Sequence, residues 1–372
     1  MSPRSDIKIP SGAQIVTLGG PGKPFHLHSG AHLPQVQVVL ESWGTLSADA
    51  SNAILICHAL TANSHAGSAP GEPDGWWEPL IGPGRVLDTD RYYVVCPNLL
   101  GSCYGSTGPV EADPRKGVPY GPTFPEISIR DIVEVQRVLM QRLGIRRLAS
   151  VIGSSLGGMQ VLEWGAMYPE LCASLIPIST AVQQTAWCLA LNAASRCAIT
   201  GDPEWREGHY EHPPKQGLAL ARMIGMISYR SPQEFAGRFG RALAGEDPFD
   251  PNCHFQVEKY LRHQGAKLAE RFDANAYLTL SRAMDRHDVG AGRGGVSTAL
   301  AAASMPALCI GVSSDIRYPL DDQCELVRQL PSAKLGVIES EHGHDSFLIE
   351  YEQLAQLIGP FLSLAADSKE AA

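Results

Sequence analysis

Apolar residues in the first part of the chain form three short runs, which are followed by a segment of helical spacing. These runs are rich in β-branched residues, which predicts β-strands, and they cover residues 36–44, 52–60 and 91–101. Between residues 128 and 145 the apolar positions are three and four apart, which predicts a helix. Ser128 is the expected N-cap of this helix and Gly144 its expected C-cap.

The pattern continues with a strand over 148–153, a helix over 157–168 and a strand over 172–180. Regular alternation of strand and helix is typical of a mostly parallel sheet with helices on both faces. The sequence therefore predicts an α/β fold.

A different pattern begins near residue 183, where helical spacing continues to about residue 299 with little strand between. Strands return at 307–315 and 333–340, and a last helix is predicted over 345–362. We therefore expect residues 1–182 and 300–372 to form one core domain. Residues 183–299 are expected to form a helical lid inserted into it.

Composition narrows the class of protein. Hydrophobic residues make up 44% of the 372 residues and charged residues 19%, enough for a large core and unlike a disordered chain. The net charge of −9 disfavours nucleic acids and anionic membranes as partners. Nine cysteines without paired spacing are typical of a reducing compartment, and no leader or membrane-spanning run is evident. We expect a soluble cytoplasmic protein.

The stretch Gly153-Ser154-Ser155-Leu156-Gly157 matches G-x-S-x-G and lies between a predicted strand and a predicted helix. In that context the pattern indicates a nucleophile elbow, because a serine on so tight a turn needs small neighbours. Ser155 is then the nucleophile and Ser154 its small neighbour.

A catalytic serine needs a base and an acid, and in an elbow of this kind they follow it in the order acid, then histidine. His342 and His344 come directly after the last predicted strand, and His344, which leads into the last helix, is the better candidate for the base. Asp315 follows the preceding strand and is the candidate acid.

Two backbone N–H groups are expected to stabilise the oxyanion. Leu156 begins the helix after the nucleophile, and Leu60 lies in the stretch 56–65, where an early strand passes into its loop. A metal role for His58 and His65 lacks a third ligand nearby in the sequence, so we expect both to structure the loop and expect no metal site.

Several blocks of the sequence resemble those of a known protein family. The blocks "CHALTANSHA", "GSSLGGMQVLEW", "LALARMIGMISYRS", "DANAYLTLSRAMDRHDVGAGRGG" and "EHGHDSFL" resemble those of the homoserine O-acetyltransferases, and similar stretches run along nearly the whole chain. This resemblance implies an α/β-hydrolase fold with a helical lid. It also implies acyl transfer from acetyl-CoA to the hydroxyl of L-homoserine, a step toward methionine.

The resemblance carries residue roles with it. It implies a triad of Ser155, Asp315 and His344, and binding of the amino-acid substrate by Arg222 and Asp345. An arginine suits a carboxylate and an aspartate suits an ammonium group. Acetyl-CoA is then a co-substrate, no cofactor is bound permanently, and a homodimer is expected.

Arg317, two residues after the candidate acid, leaves the acyl donor open. If its side chain faces solvent or pairs with an acid such as Glu341, the acyl pocket suits acetyl-CoA. If it points inward, it suits the free carboxylate of succinyl-CoA, and the enzyme would be a homoserine O-succinyltransferase. The sequence also leaves open L-serine or deacetylcephalosporin as the acceptor, a plain serine esterase, and an idle hydrolase-like binding protein.

Overall fold

A central sheet of eight strands organises the protein. The computed structural model describes residue 9 and residues 12–20, 22–68, 71–245, 247, 249 and 255–370. In chain order the strands are β1 (Gln14–Gly19), β2 (Gln35–Trp43), β3 (Ala53–Cys57), β4 (Tyr93–Pro97), β5 (Leu148–Ser154), β6 (Leu175–Ile178), β7 (Ala307–Val312) and β8 (Ala333–Ile338). Three further two-residue strand pairs lie in loops outside this sheet.

The strands lie in the order β1-β2-β4-β3-β5-β6-β7-β8. β1 and β2 are antiparallel to their neighbours, whereas the strands from β4 to β8 run parallel. All five residues of β3 are buried, because helices cover both faces of the sheet there. The predicted α/β class and mostly parallel sheet are confirmed, while the edge strand β1 was not predicted.

Two hydrophobic cores lie on opposite faces of the sheet. In β3 the side chain of Leu55 joins one core, while those of Ile54 and Ile56 join the other, as the two-residue period of a strand requires. Each such fully buried side chain contributes about 1.5–3 kcal/mol to folding. The first core is covered by α1 (Ile129–Arg142) and α2 (Leu156–Met167), and the second by α10 (Tyr351–Glu370).

Two predicted helix ends can be compared with the structure. Ser128 caps α1 as expected, and its side chain and that of Asp131 form a reciprocal capping box. The C-cap is Leu143 rather than Gly144; the glycine comes one position later, where its φ of +78° ends the helix. The helix predicted over 345–362 is divided into a 3-10 turn at Gly343–Leu348 and α10, which begins at Tyr351.

The chain between β6 and β7 is mainly helical. α4 packs against both α3 and α6. The helices of this stretch are α3 (Ala186–Thr200), α4 (Lys215–Tyr229), α5 (Pro232–Phe239), α6 (Gln256–Ala269), α7 (Ala274–Asp285) and α8 (Val296–Ala301), and α9 (Leu320–Gln329) follows β7. Within the described residues, none of the helices combines the length and apolar character needed to cross a bilayer. The division into a core and a lid at residues 182 and 300 stays a prediction.

Candidate active site

Ser155 sits on a strained turn between β5 and α2. Its φ of +56° and ψ of −121° lie outside the regions that ordinary residues favour. A Cβ at Gly157 would lie 1.9 Å from the carbonyl oxygen of Cys57, and one at Gly153 would lie 2.6 Å from the backbone of Gly157. Both glycines are therefore required by close backbone approach, which is the steric condition of a nucleophile elbow.

Asp315 and His344 form a buried pair at the ends of β7 and β8. The Nδ1 atom of His344 is 2.7 Å from Oδ2 of Asp315, and both side chains are almost fully buried. The other carboxylate oxygen, Oδ1, accepts the backbone N–H groups of Arg317 (2.8 Å) and Tyr318 (3.0 Å). Since a carboxylate only accepts, the proton on the ring lies at Nδ1, and Nε2 remains free to accept one.

The loops that carry this pair are tied together. The hydroxyl of Ser314 donates to the carbonyl of Ser340 (2.5 Å) and accepts the N–H of Gly343 (3.0 Å). The imidazole of His344 is surrounded by aromatic rings, with centroids 5.2 to 5.9 Å away, at Tyr318, Phe347 and Tyr229. These contacts leave the imidazole little freedom to turn away from Asp315.

A cavity of about 490 Å³ brings most of the candidate residues together. Its lining includes Ser155, His344, Leu60, Arg222, Asp345 and Arg317. Asp315 is not in the lining and lies behind His344, while Leu156 contributes only its position at the start of α2. The arrangement places a serine and a histidine with an oriented proton acceptor in one cavity, which suits nucleophilic catalysis.

Leu60 lines the cavity, and Leu156 directly follows Ser155 at the start of α2. Among the turn and loop backbone hydrogen bonds of the described residues, none is donated by the N–H of Leu60 or of Leu156. The loop that carries Leu60 is held by His58, whose Nδ1 contacts the carbonyl of Ala59 (2.8 Å) and whose Nε2 accepts the N–H of Leu99 (3.3 Å). Burial lowers the pKa of His58 to about 4, so this loop is held by a neutral imidazole at pH 7.

Arg317 points inward and is only 3% exposed. Its guanidinium donates to the Asn192 side chain (2.7 Å) and to the hydroxyl of Ser228 (3.1 Å), and it lies over the ring of Tyr229. Among the described residues it has no carboxylate partner, Glu341 included, and its Nε is unpaired. A buried cation thus lines the cavity that contains Ser155.

Arg222 and Asp345 line the same cavity. Arg222 lies over one side of the Tyr229 ring, with its guanidinium carbon 5.2 Å from the centroid, and Arg317 lies 5.4 Å from the same centroid. Asp345 is 3.3 Å from Nε of Arg230, but that Nε makes no aligned hydrogen bond. The carboxylate of Asp345 therefore keeps acceptor capacity toward the cavity.

His65 lies at the edge of the cavity between two acceptors. Its Nδ1 is 2.8 Å from Oε2 of Glu41, and its Nε2 is 2.8 Å from the carbonyl of Pro73. Burial by itself would lower the pKa of His65, but the hydrogen bonds to Glu41 and Pro73 raise it above its ordinary value. Glu41, His65 and Glu72 bring ligand atoms within 4.8 Å of one another, yet both nitrogens of His65 already face hydrogen-bond acceptors, so the ring acts as a donor.

The cavity residues that did not follow from the sequence include Tyr229, Lys267 and Arg271. Tyr229 lies seven residues after Arg222 on α4, so helical periodicity places both on one face and could have revealed it. Lys267 and Arg271 also line the cavity. They come from a different helical segment, and no motif marks them.

The strained serine turn, the acid after β7 and the histidine after β8 define a class of protein. The family model described as "alpha/beta hydrolase fold" matches residues 52–351, and the chain belongs to that class. Within it the chain belongs to the homoserine O-acetyltransferase family. The homoserine O-acetyltransferase of Chlorobaculum tepidum is 47% identical over 341 residues, covering 91% of this chain and 92% of that one.

Solved structures agree with this assignment. The crystal structure of homoserine O-acetyltransferase from Bacillus anthracis superposes with a TM-score of 0.88 at 28% identity, covering 94% of this chain and 97% of that one. The structure of esterase E22 superposes with a TM-score of 0.85 at 30% identity, covering 94% and 100%. The same framework is thus found in a transferase and in an esterase.

Proposed function

We propose that this protein transfers an acetyl group from acetyl-CoA to the side-chain hydroxyl of L-homoserine, through an acyl-enzyme on Ser155. The observation that carries the proposal is the single cavity that joins Ser155 and His344 to Arg222 and Asp345. A nucleophile alone would suit many esters. A nucleophile in a cavity that also presents the guanidinium of Arg222 and the carboxylate of Asp345 suits an amino acid that also bears a reactive hydroxyl.

In the first half-reaction Nε2 of His344 accepts the proton of the Ser155 hydroxyl as its oxygen attacks the thioester carbonyl. The tetrahedral oxyanion accepts hydrogen bonds from the N–H groups of Leu60 and Leu156. Collapse breaks the C–S bond, and CoA leaves as the thiol with the proton held by His344. Asp315 stabilises the imidazolium that forms in between.

In the second half-reaction homoserine replaces CoA. Arg222 holds its carboxylate and Asp345 its ammonium group, which directs the hydroxyl toward acyl-Ser155. His344 takes the hydroxyl proton, the new C–O bond forms, and Ser155 leaves and recovers the proton. The products are O-acetylhomoserine and free enzyme, and no bound cofactor takes part. We expect this reaction in the cytoplasm.

Release of CoA with and without homoserine tests transfer against hydrolysis. If the cavity excludes water from acyl-Ser155, CoA release is slow without acceptor and rises strongly when homoserine is added. The same assay with L-serine in place of homoserine shows which amino acid the enzyme prefers as acceptor. Equal release with and without an amino acid would favour a serine esterase and contradict the proposal.

One observation favours a second candidate donor. The guanidinium of Arg317 lines the cavity of Ser155 and lacks a carboxylate partner among the described residues. A succinyl group carries a carboxylate that such a cation would bind by a charge-assisted hydrogen bond. Homoserine O-succinyltransferase activity is therefore the alternative to the acetyl transfer that the relatives' names favour.

The donor is decided by rates with acetyl-CoA and succinyl-CoA in wild type and in Arg317→Leu. If acetyl-CoA is the donor, wild type prefers it over succinyl-CoA, and the substitution changes this preference little. A preference for succinyl-CoA that falls about ten- to a hundredfold in Arg317→Leu would instead assign the succinyltransferase, since a charge-assisted hydrogen bond contributes about 1.5–3 kcal/mol.

A homodimer is the assembly we propose. Trp187 on α3 is 55% exposed, and Leu220 and Ile227 on α4 are 46% and 52% exposed. Large apolar side chains on adjacent helices suit a second copy of the chain. Light scattering on wild type and Trp187→Glu tests this: we expect a dimer that weakens in the variant, and a wild-type monomer at micromolar concentration would contradict it.

A further inference from the structure

The cavity of Ser155 has a charged mouth. Most of its lining is buried or half-buried, and its three exposed members are Asp74, Lys267 and Arg271. Exposed side chains that line an otherwise enclosed cavity mark the place where it opens to solvent. Two of the three carry positive charge, in a chain whose net charge is −9.

Within the described residues, no ion pair joins Lys267 or Arg271 to a carboxylate. Arg271 is held in place, because one terminal nitrogen donates to the carbonyl of Thr61 (2.7 Å) and to the hydroxyl of Tyr104 (2.6 Å). Its other guanidinium nitrogens remain available to a ligand at the mouth.

The proposed donor has a fixed order of chemical groups. From the thioester outward, an acyl-CoA presents an uncharged pantetheine arm, then a diphosphate, then a ribose that carries a further phosphate. With the thioester carbon at Ser155, the arm leads out of the cavity through its mouth, and the phosphates follow the arm on that side. Phosphate groups on that side meet two cations that have no carboxylate partner among the described residues, and arginine and lysine are the usual residues for phosphate binding.

We propose that Lys267 and Arg271 form a binding subsite for the phosphate groups of the acyl-CoA donor. This subsite rests on the proposed function and extends it to the part of the donor that does not react. Lys267 supplies a mobile point charge, and Arg271 supplies a fixed planar donor. The subsite selects a thioester of CoA over a thioester that lacks the phosphates, without touching the reacting atoms.

The test compares acetyl-CoA with S-acetylpantetheine, which has the same thioester and arm but no phosphate. The quantity measured is the ratio of kcat/KM for the two donors, with homoserine held at saturation. We expect this ratio to fall about three- to tenfold in Lys267→Met and in Arg271→Gln, and further in the double variant. Lys259→Met is the matched control, because Lys259 is exposed on the same helix but does not line the cavity.

The ratio of kcat/KM for the two donors distinguishes a residue that binds phosphate from one that only supports the structure. Because Arg271 also contacts the loop of Thr61, Arg271→Gln can slow both donors, but a purely structural effect leaves the ratio unchanged. An unchanged ratio in both variants, or the same fall in Lys259→Met, would overturn the subsite. A wild type that hydrolyses p-nitrophenyl acetate but uses neither thioester would overturn the proposed function itself.

Discussion

Replacing Asp315 by Asn tests whether this residue fixes the proton of His344. In the structure Oδ1 of Asp315 accepts two backbone N–H groups, and Oδ2 faces Nδ1 of His344 at 2.7 Å. An asparagine has one oxygen, which those two N–H donors would hold. Its NH2 group would then face Nδ1, which would have to accept a hydrogen bond, so the ring proton would move to Nε2.

A His344 protonated at Nε2 cannot take a proton from Ser155. The expected loss in kcat is about 10⁴-fold, the size seen when the same tautomer error is introduced into a serine protease triad. It corresponds to about 5.5 kcal/mol in activation free energy. Folding stability should change by only about 1 kcal/mol, because both backbone hydrogen bonds keep their acceptor.

The assay is kcat for acyl transfer, together with the melting temperature of each variant. Asp321→Asn is the matched control: it makes the same chemical change on the exposed start of α9 and should keep full activity. An Asp315→Asn enzyme that retains a tenth of wild-type kcat while staying folded would refute the proposed role of the carboxylate.

Three further predictions concern stability. Gly157→Ala should prevent the elbow from forming, because its Cβ would meet the carbonyl of Cys57 at 1.9 Å, and soluble active enzyme would contradict this. Ser128→Ala should lower the free energy of unfolding by about 1 kcal/mol through loss of the α1 cap, with kcat unchanged. Burial lowers the pKa values of His58 and His287 to about 4. Between pH 6.5 and 4 these two histidines take up protons only in the unfolded chain. The free energy of unfolding should therefore fall as the pH is lowered from 6.5 to 4, by roughly 3 kcal/mol for each histidine. A melting temperature that stays flat from pH 7 to 4.5 would contradict it.

Much of the core could be predicted because its strands are buried on both faces and therefore read as short apolar runs. β3 is an example, with all five residues buried. β1 escaped prediction because it is an edge strand with one buried residue in six, so its sequence carries little apolar signal. The last helix was predicted too early because the 3-10 turn that carries His344 ends in two apolar residues, Phe347 and Leu348, shortly before α10.

The directions of side chains in the site were harder to predict from the sequence than the positions of the residues. The position of Arg317 beside Asp315 is evident in the sequence, but its inward orientation depends on Asn192 of α3 and Ser228 of α4, which are far away in the chain. Lys267 and Arg271 reach the same cavity from a segment with no recognisable motif. Such contacts depend on packing between residues that are far apart in the chain, and the local spacing of residues does not reveal this packing.

In the proposed mechanism the acyl group passes through Ser155. The direct test is to mix the protein with acetyl-CoA in the absence of homoserine and to digest it for mass spectrometry. We expect one acetyl group on the peptide that contains Ser155, absent in Ser155→Ala, retained in Ser154→Ala, and lost when homoserine is added. An acetyl group on a cysteine instead, or no acetylated peptide at all while transfer proceeds, would contradict it.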